Sequence, residues 1–126
     1  MIVGLGIDGV EIERFAGWSG YSKARLSQIF SEQEIIYALS VPIKSAERFA
    51  ARFAAKEAAY KALAHLMPNQ ITLISFCKFV SVINDQFGAP SLVIDYPQLQ
   101  LPISFKAMLS LSHTATLALA VVIVEL

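Results

Sequence analysis

Residues 48–63 hold the densest run of groups able to do chemistry: Arg-Phe-Ala-Ala-Arg-Phe-Ala-Ala-Lys-Glu-Ala-Ala-Tyr-Lys-Ala-Leu. The pattern predicts one α-helix, and at about 100° per residue Arg48, Arg52 and Lys56 fall on a single basic stripe. Glu57 and Lys61 form a second polar line roughly 100° further round, with Phe53 beside it. The alanines between these groups let another backbone pack very close. As a solvated face the helix needs no ligand, and a Glu57–Lys61 pair would stabilise it by ~0.2–0.5 kcal/mol. Three cations on one stripe nevertheless repel one another, and a polyphosphate is a suitable counter-anion.

A second feature is Asp8, the only charge among the first ten residues and near the end of an apolar, strand-like segment. A carboxylate buried there is costly unless it is paired, bound to metal or at the strand's exposed end. An aspartate on a strand and a glutamate on a helix suit Mg²⁺, which takes one or two carboxylates, several waters and substrate phosphates. The third feature is Ser110-Leu111-Ser112-His113-Thr114. Its hydroxyls, amides and imidazole could bind phosphate or a base edge, and they are also ordinary turn residues. No nucleophile-elbow pattern surrounds either serine, which argues against a Ser–His hydrolase. No Gly-rich loop ending in Lys-Ser/Thr supports a P-loop enzyme.

These groups need a scaffold. Met1–Val10, apolar with Gly4, Gly6 and Gly9 interspersed, predicts a buried strand. Gly17 and Gly20 break residues 15–29 into short helical pieces. Ser31 and Glu34 form a capping box, so a helix of about two turns should follow and stop before Pro42. The long helix is predicted from Ser45 to Met67, closed by Pro68. Ile71–Ile83 is β-branched and aromatic and predicts a strand, Asn84–Pro90 a turn. Ser91–Asp95, Ile103–Ser112 and Thr116–Glu125 complete the strands. One long helix packed on a mainly antiparallel, hairpin-joined sheet is an α+β fold.

Composition sets further bounds. A chain of 126 residues predicts a single domain, residues 1–126, with enough length for a core without staples. Ten basic and ten acidic residues leave no net charge, so nucleic acid is a poor expectation as partner. Charged residues are 16% and hydrophobic ones 56%, more apolar surface than a small domain can hide alone, which predicts self-association. The single cysteine, Cys77, excludes an intrachain disulfide and reads as a buried small residue. His65, near the long helix's end, is expected to face its negative terminus. Residues 107–124 are uncharged but carry several hydroxyls and a histidine, which suits strands better than a membrane span. With no basic leader at the start, the expectation is a cytoplasmic protein with no membrane partner.

Taken in order, the segments Gly-Ile-Asp-Gly-Val-Glu-Ile-Glu-Arg-Phe (6–15), Arg-Phe-Ala-Ala-Lys-Glu-Ala-Ala-Tyr-Lys-Ala-Leu (52–63) and Ser-Leu-Ser-His-Thr (110–114) closely resemble the holo-acyl-carrier-protein synthases, the short type of 4′-phosphopantetheinyl transferase. The resemblance runs end to end and includes residues 25–31 with Glu34, and Asn84-Asp85 with Gly88-Ala89-Pro90. It implies a phosphopantetheinyl transferase-like fold, a homotrimer with sites at subunit clefts, and a Mg²⁺ ion held by Asp8 and Glu57. It also implies the reaction, part of fatty acid biosynthesis: a carrier-protein serine attacks the β-phosphorus of coenzyme A, 4′-phosphopantetheine is transferred, and adenosine 3′,5′-bisphosphate leaves. Lys61 would steady charge developing on the pyrophosphate. The general base is open between a water on the ion and Glu57.

By the same resemblance Arg48, Arg52 and Lys56 supply counter-charge to coenzyme A. Ser110, Ser112 and His113 contact its 3′-phosphate and adenine end, with the turn at Gly88 and Pro90 near by. Acyl carrier proteins are acidic, and docking falls to Arg14, Lys23 and Arg25, with Phe15, Trp18 or Leu26 as apolar anchors. Three places depart from the family pattern. Residues 64–68 replace a Gly-Thr-Gly-like turn, Phe79 and Ser81 stand where acids are common, and Pro97 and Pro102 interrupt the helix expected before residue 110. None of these touches Asp8, Glu57 or Lys61, which argues against a catalytically silent binding module.

Overall fold

The computed structural model describes residues 1–126. Strand β1 (Ile2–Glu11) is followed by two short 3₁₀ turns, helix α1 (Lys23–Leu26) and helix α2 (Glu32–Leu39). The long helix α3 (Ser45–Leu63) comes next, then α4 (Leu73–Cys77) and the strands β2 (Val80–Asn84), β3 (Pro90–Ile94), β4 (Lys106–His113) and β5 (Leu117–Glu125). Strands β1, β5 and β4 form one antiparallel sheet in that order, and β2 and β3 form a separate hairpin. The expected α+β architecture, one long helix on an antiparallel sheet, is what the chain adopts. No helix is long and apolar enough to cross a membrane.

Helix α3 lies across one face of the three-stranded sheet. Alternation along β1 turns Gly4, Gly6, Asp8 and Val10 toward the helix, and β5 offers Ala118, Ala120, Val122 and Val124 on the same side. The approach is close for a readable reason. A Cβ on Gly6 would stand 1.9 Å from the Ala58 carbonyl oxygen, and one on Gly4 would stand 2.2 Å from that of Ala62. Glycine on the strand and alanine on the helix together let two backbones touch, and any larger residue at either strand position would drive them apart. The other end of α3 packs into an aromatic cluster. Phe15 and Trp18 have ring centroids 4.4 Å apart, and Phe30 and Phe49 4.9 Å.

The capping box forms as expected: Ser31 Oγ accepts from the Glu34 amide at 3.2 Å, and Glu34 Oε1 accepts from the Ser31 amide at 2.8 Å. Three boundaries differ from the sequence reading. The segment expected as a strand over 71–83 begins with α4, because Thr72 Oγ1 accepts from the Ser75 amide at 3.2 Å and caps a helical turn. Only the part from Val80 onward is strand. Strand β4 starts at Lys106 rather than Ile103, since Pro102 leaves residues 103–105 in a turn. Helix α3 ends at Leu63 and continues as one 3₁₀ turn to Leu66.

Candidate active site

The close approach of β1 to α3 sets Asp8 against Glu57 and Lys61. Asp8 is buried, and the Lys61 ammonium donates to its Oδ1 at 3.0 Å and to the Ile7 carbonyl at 3.0 Å. The other carboxylate oxygen, Oδ2, is buried without a partner. Glu57 has its pKa raised, first by burial and then by the neighbouring Asp8 carboxyl, with Lys61 and Arg14 acting the other way. Two carboxylates that repel each other, one with an orphaned buried oxygen, are the donor set of a hard divalent cation. No third His, Cys, Asp or Glu completes a protein cage. That suits Mg²⁺, whose remaining positions go to water and phosphate. The residues present therefore fit the ion.

A second polar region lies on the far side of the helix. A cleft of about 260 Å³ brings together Arg48, Arg52, Gly88, Pro90, Ser112 and His113, as the resemblance implies. Tyr37, Lys44, Glu47 and Asn84 also line it. Lys44, Arg48 and Arg52 give it three basic side chains. Arg52 is only 4% exposed and donates to Asn84 Oδ1, while its Nε is buried with no partner. Burial, ahead of all other causes, lowers its pKa. Asn84 in turn donates to the Gly88 carbonyl at 2.9 Å and fastens the β2–β3 turn to the cleft. Gly88 there has φ of +84°, a left-handed conformation that favours glycine. His113 Nε2 lies 3.2 Å from Glu47 Oε1.

Several expected assignments are corrected. Lys56 is fully buried, 2.6 Å from Glu34 Oε1, and donates to the Ile29 carbonyl at 2.6 Å. Glu34 Oε2 accepts from the Val82 amide at 3.0 Å, so the pair ties α2, α3 and β2 together and offers no cation to a ligand. Ser110 sits exposed on the open face of the sheet, outside the cleft. The expected docking residues have separate local partners. Arg14 stacks 5.1 Å from the Phe53 ring beside Glu57, Lys23 pairs with Glu32 at 2.9 Å, and Arg25 lies 3.8 Å over Tyr21. Phe15 and Leu26 are core residues and cannot anchor a partner; Trp18 remains partly accessible. His65 contacts the Val3 carbonyl at 3.1 Å rather than its own helix end. Cys77 is buried as expected, its thiol pushed up to about 11 by burial.

Residues 4–122 match the 4′-phosphopantetheinyl transferase superfamily. A holo-[acyl-carrier-protein] synthase of Treponema denticola is 41% identical over 131 residues, covering 99% of this chain and 99% of the relative. One from Koribacter versatilis is 39% identical over 129 residues, again with 99% of each covered. Among solved structures, the Bacillus anthracis holo-(acyl-carrier-protein) synthase in complex with CoA (3′,5′-ADP) superposes with a TM-score of 0.76 at 31% identity, covering 99% of this chain and 97% of that one. The Helicobacter pylori enzyme in complex with coenzyme A superposes with a TM-score of 0.73 at 26% identity over 96% of this chain and 99% of that one.

Proposed function

The chain belongs to the 4′-phosphopantetheinyl transferase superfamily and is a transferase of the holo-[acyl-carrier-protein] synthase kind, and on that premise we propose a Mg²⁺-dependent transfer of 4′-phosphopantetheine from coenzyme A to a serine of an apo acyl carrier protein, serving fatty acid biosynthesis in the cytoplasm. The observation that carries the metal reading is the unpartnered, buried Oδ2 of Asp8 beside Glu57. Asp8 and Glu57 would hold the ion, which when bound supplies Lewis-acid charge stabilisation at the pyrophosphate.

The chain's own residues do the rest. Phosphoryl transfer depends mainly on positioning and on spreading negative charge. As the serine oxygen bonds to the β-phosphorus, its proton passes to Glu57 or to water, the bond to the bridging oxygen breaks and negative charge grows on adenosine 3′,5′-bisphosphate. Lys61, held 3.0 Å from Asp8, sets an ammonium beside the carboxylates where that charge develops. Arg48, Arg52, His113 and Ser112 would take the nucleotide end, against the Gly88–Pro90 turn. Arg14, close enough to lower the Glu57 pKa, would meet the acidic carrier at the mouth of the carboxylate site, with Lys23 and Arg25 further out.

One coenzyme A must then reach both regions. Arg48 and Glu57 are nine positions apart on α3, which puts them about 180° round the helix and roughly 13 Å along it. In the assembly proposed here, the carboxylates of one chain and the cleft of another form the working site. The open face of the sheet supports such an assembly: Leu5 and Ile7 are 65% and 63% exposed and Met108 is 47%, with Val121 and Ile123 between them in register. The implied homotrimer covers this face with copies of itself. Incubation with coenzyme A, Mg²⁺ and an apo acyl carrier protein tests the activity: the carrier gains the mass of phosphopantetheine, and EDTA prevents it. No mass gain on any acidic carrier would overturn the proposal.

A further inference from the structure

The arginines of the cleft are held without a carboxylate. The ion pairs of the chain are Lys23–Glu32, Lys56–Glu34, Lys61–Asp8 and the His113–Glu47 contact, and neither Arg48 nor Arg52 belongs to one. Both guanidinium carbons instead lie over the ring of Tyr37, 4.1 Å and 4.0 Å from its centroid. The remaining partners are neutral too. Arg48 Nη1 donates to the Tyr37 carbonyl at 2.8 Å and to Ser40 Oγ at 3.0 Å, and Arg52 Nη2 donates to Asn84 Oδ1.

This choice of partners matters chemically. A carboxylate at Tyr37 would orient the arginines equally well but would cancel charge that a ligand needs. An aromatic face attracts cations through its quadrupole and stays uncharged. It can therefore gather two guanidinium groups that repel each other with no carboxylate in ion-pair contact with either, the Glu34 charge reaching Arg52 only from further off. The buried, unpartnered Nε of Arg52 shows that its donor capacity is not used up within the chain. A phosphate monoester, a dianion with three acceptor oxygens, matches two such forks better than a singly charged diester.

We propose that Tyr37 is a positioning residue whose ring holds Arg48 and Arg52 side by side and free of an ion pair, so that the cleft selects the 3′-phosphate monoester of coenzyme A. This rests on the reading of the cleft as the nucleotide end of the site. Tyr37 acts through the arginines and touches no reacting atom.

Calorimetric titration of the full chain with adenosine 3′,5′-bisphosphate and with adenosine 5′-monophosphate tests it. Wild type binds the bisphosphate more tightly. Tyr37→Leu and Tyr37→Met each weaken the bisphosphate by about tenfold and leave the monophosphate within roughly twofold, whereas Tyr37→Phe, which keeps the ring, stays near wild type. In turnover the KM for coenzyme A rises in the Leu and Met variants while kcat is kept. In an Arg48→Met background the loss on adding Tyr37→Leu shrinks, because the group it positions is gone. A wild-type preference retained by either folded Leu or Met variant would overturn the role of Tyr37 alone. An equal loss of both nucleotides would overturn it as well, since that marks a general structural effect. A wild type with no preference for the bisphosphate would overturn the reading of the cleft, and this inference with it.

Discussion

Helix α3 presents charge on two sides, and the two sides have solved opposite problems. On the β1 side, a glycine-on-alanine contact draws Asp8 against Glu57, and two carboxylates face each other beside Lys61 and Arg14 with one oxygen orphaned. On the cleft side the excess is positive, with arginines resting on an aromatic ring and an orphaned nitrogen. The two buried side-chain polar atoms without partners in the chain are Asp8 Oδ2 and Arg52 Nε, one on each side. A buried polar group left unpaired costs about 1–3 kcal/mol, so each side waits for a group of opposite character. Lys56, one residue from Glu57 and four from Arg52, shows the alternative. There the charge is cancelled inside the fold by Glu34 and serves stability only. Position on a helix does not decide which fate a charge meets; the partner that tertiary structure brings to it does.

Breaking the carboxylate side should have the largest effect. Asp8→Ala and Glu57→Ala each remove one of two protein donors and are expected to reduce transfer to background by the carrier mass-gain assay. Asp8→Ala should not lower the melting temperature, because the residue is already under-satisfied in its burial. Lys61→Ala comes next, with kcat lowered by on the order of 10²–10³ and KM for coenzyme A changed less, since the ammonium acts on charge that develops late. Normal kcat with a raised KM would make Lys61 a ground-state anchor.

The Lys56–Glu34 pair sharpens the contrast from the side of stability. Lys56→Met alone should cost about 3–5 kcal/mol in chemical denaturation, by leaving Glu34 charged and buried. Adding Glu34→Leu should recover part of that loss, although the Ser31 and Val82 amides then lose their acceptor. Turnover per folded molecule should stay close to wild type in the double variant. A specific loss of coenzyme A affinity there would return Lys56 to the ligand site.

A smaller effect follows from the raised pKa of Glu57. Unfolding sets the group back to its ordinary value, so in metal-free protein its contribution favours the fold at acid pH and is lost as pH rises through the folded pKa. An ion held by Glu57 would have to displace the same proton. The rise in melting temperature caused by Mg²⁺ should therefore be small in mild acid and grow toward neutral and alkaline pH, measured at fixed ionic strength. A shift independent of pH would separate Glu57 from the ion.

Much of the carboxylate side was legible in the residues themselves. Alternating glycines on a strand and a small-residue helix announce a close contact, and the lone Asp8 near the strand's end marks what that contact positions. The capping box at Ser31 was equally plain because it is local. The fate of Lys56 was not, since its neutralising partner lies 22 positions earlier on a different helix and the basic stripe looks the same either way. The α4 turn was hidden inside a β-branched run, although Thr72 and Ser75 carried a cap signal that outweighs strand propensity over so few residues. Tyr37 gave no sequence signal at all. Its significance comes from two guanidinium groups that reach one ring only after α2 packs on α3.

The central claim, that the two sides of α3 are halves of sites completed between chains, is tested most directly by mixing. Asp8→Ala lacks the carboxylate half and Arg48→Glu lacks the cleft half, and each alone should be inactive. Co-expressed in equal amounts as randomly mixed assemblies, they should recover about a quarter of wild-type activity, because one interface in four joins an intact carboxylate site to an intact cleft. Activity no higher in the mixture than in either variant alone would place both halves within one chain and contradict the account.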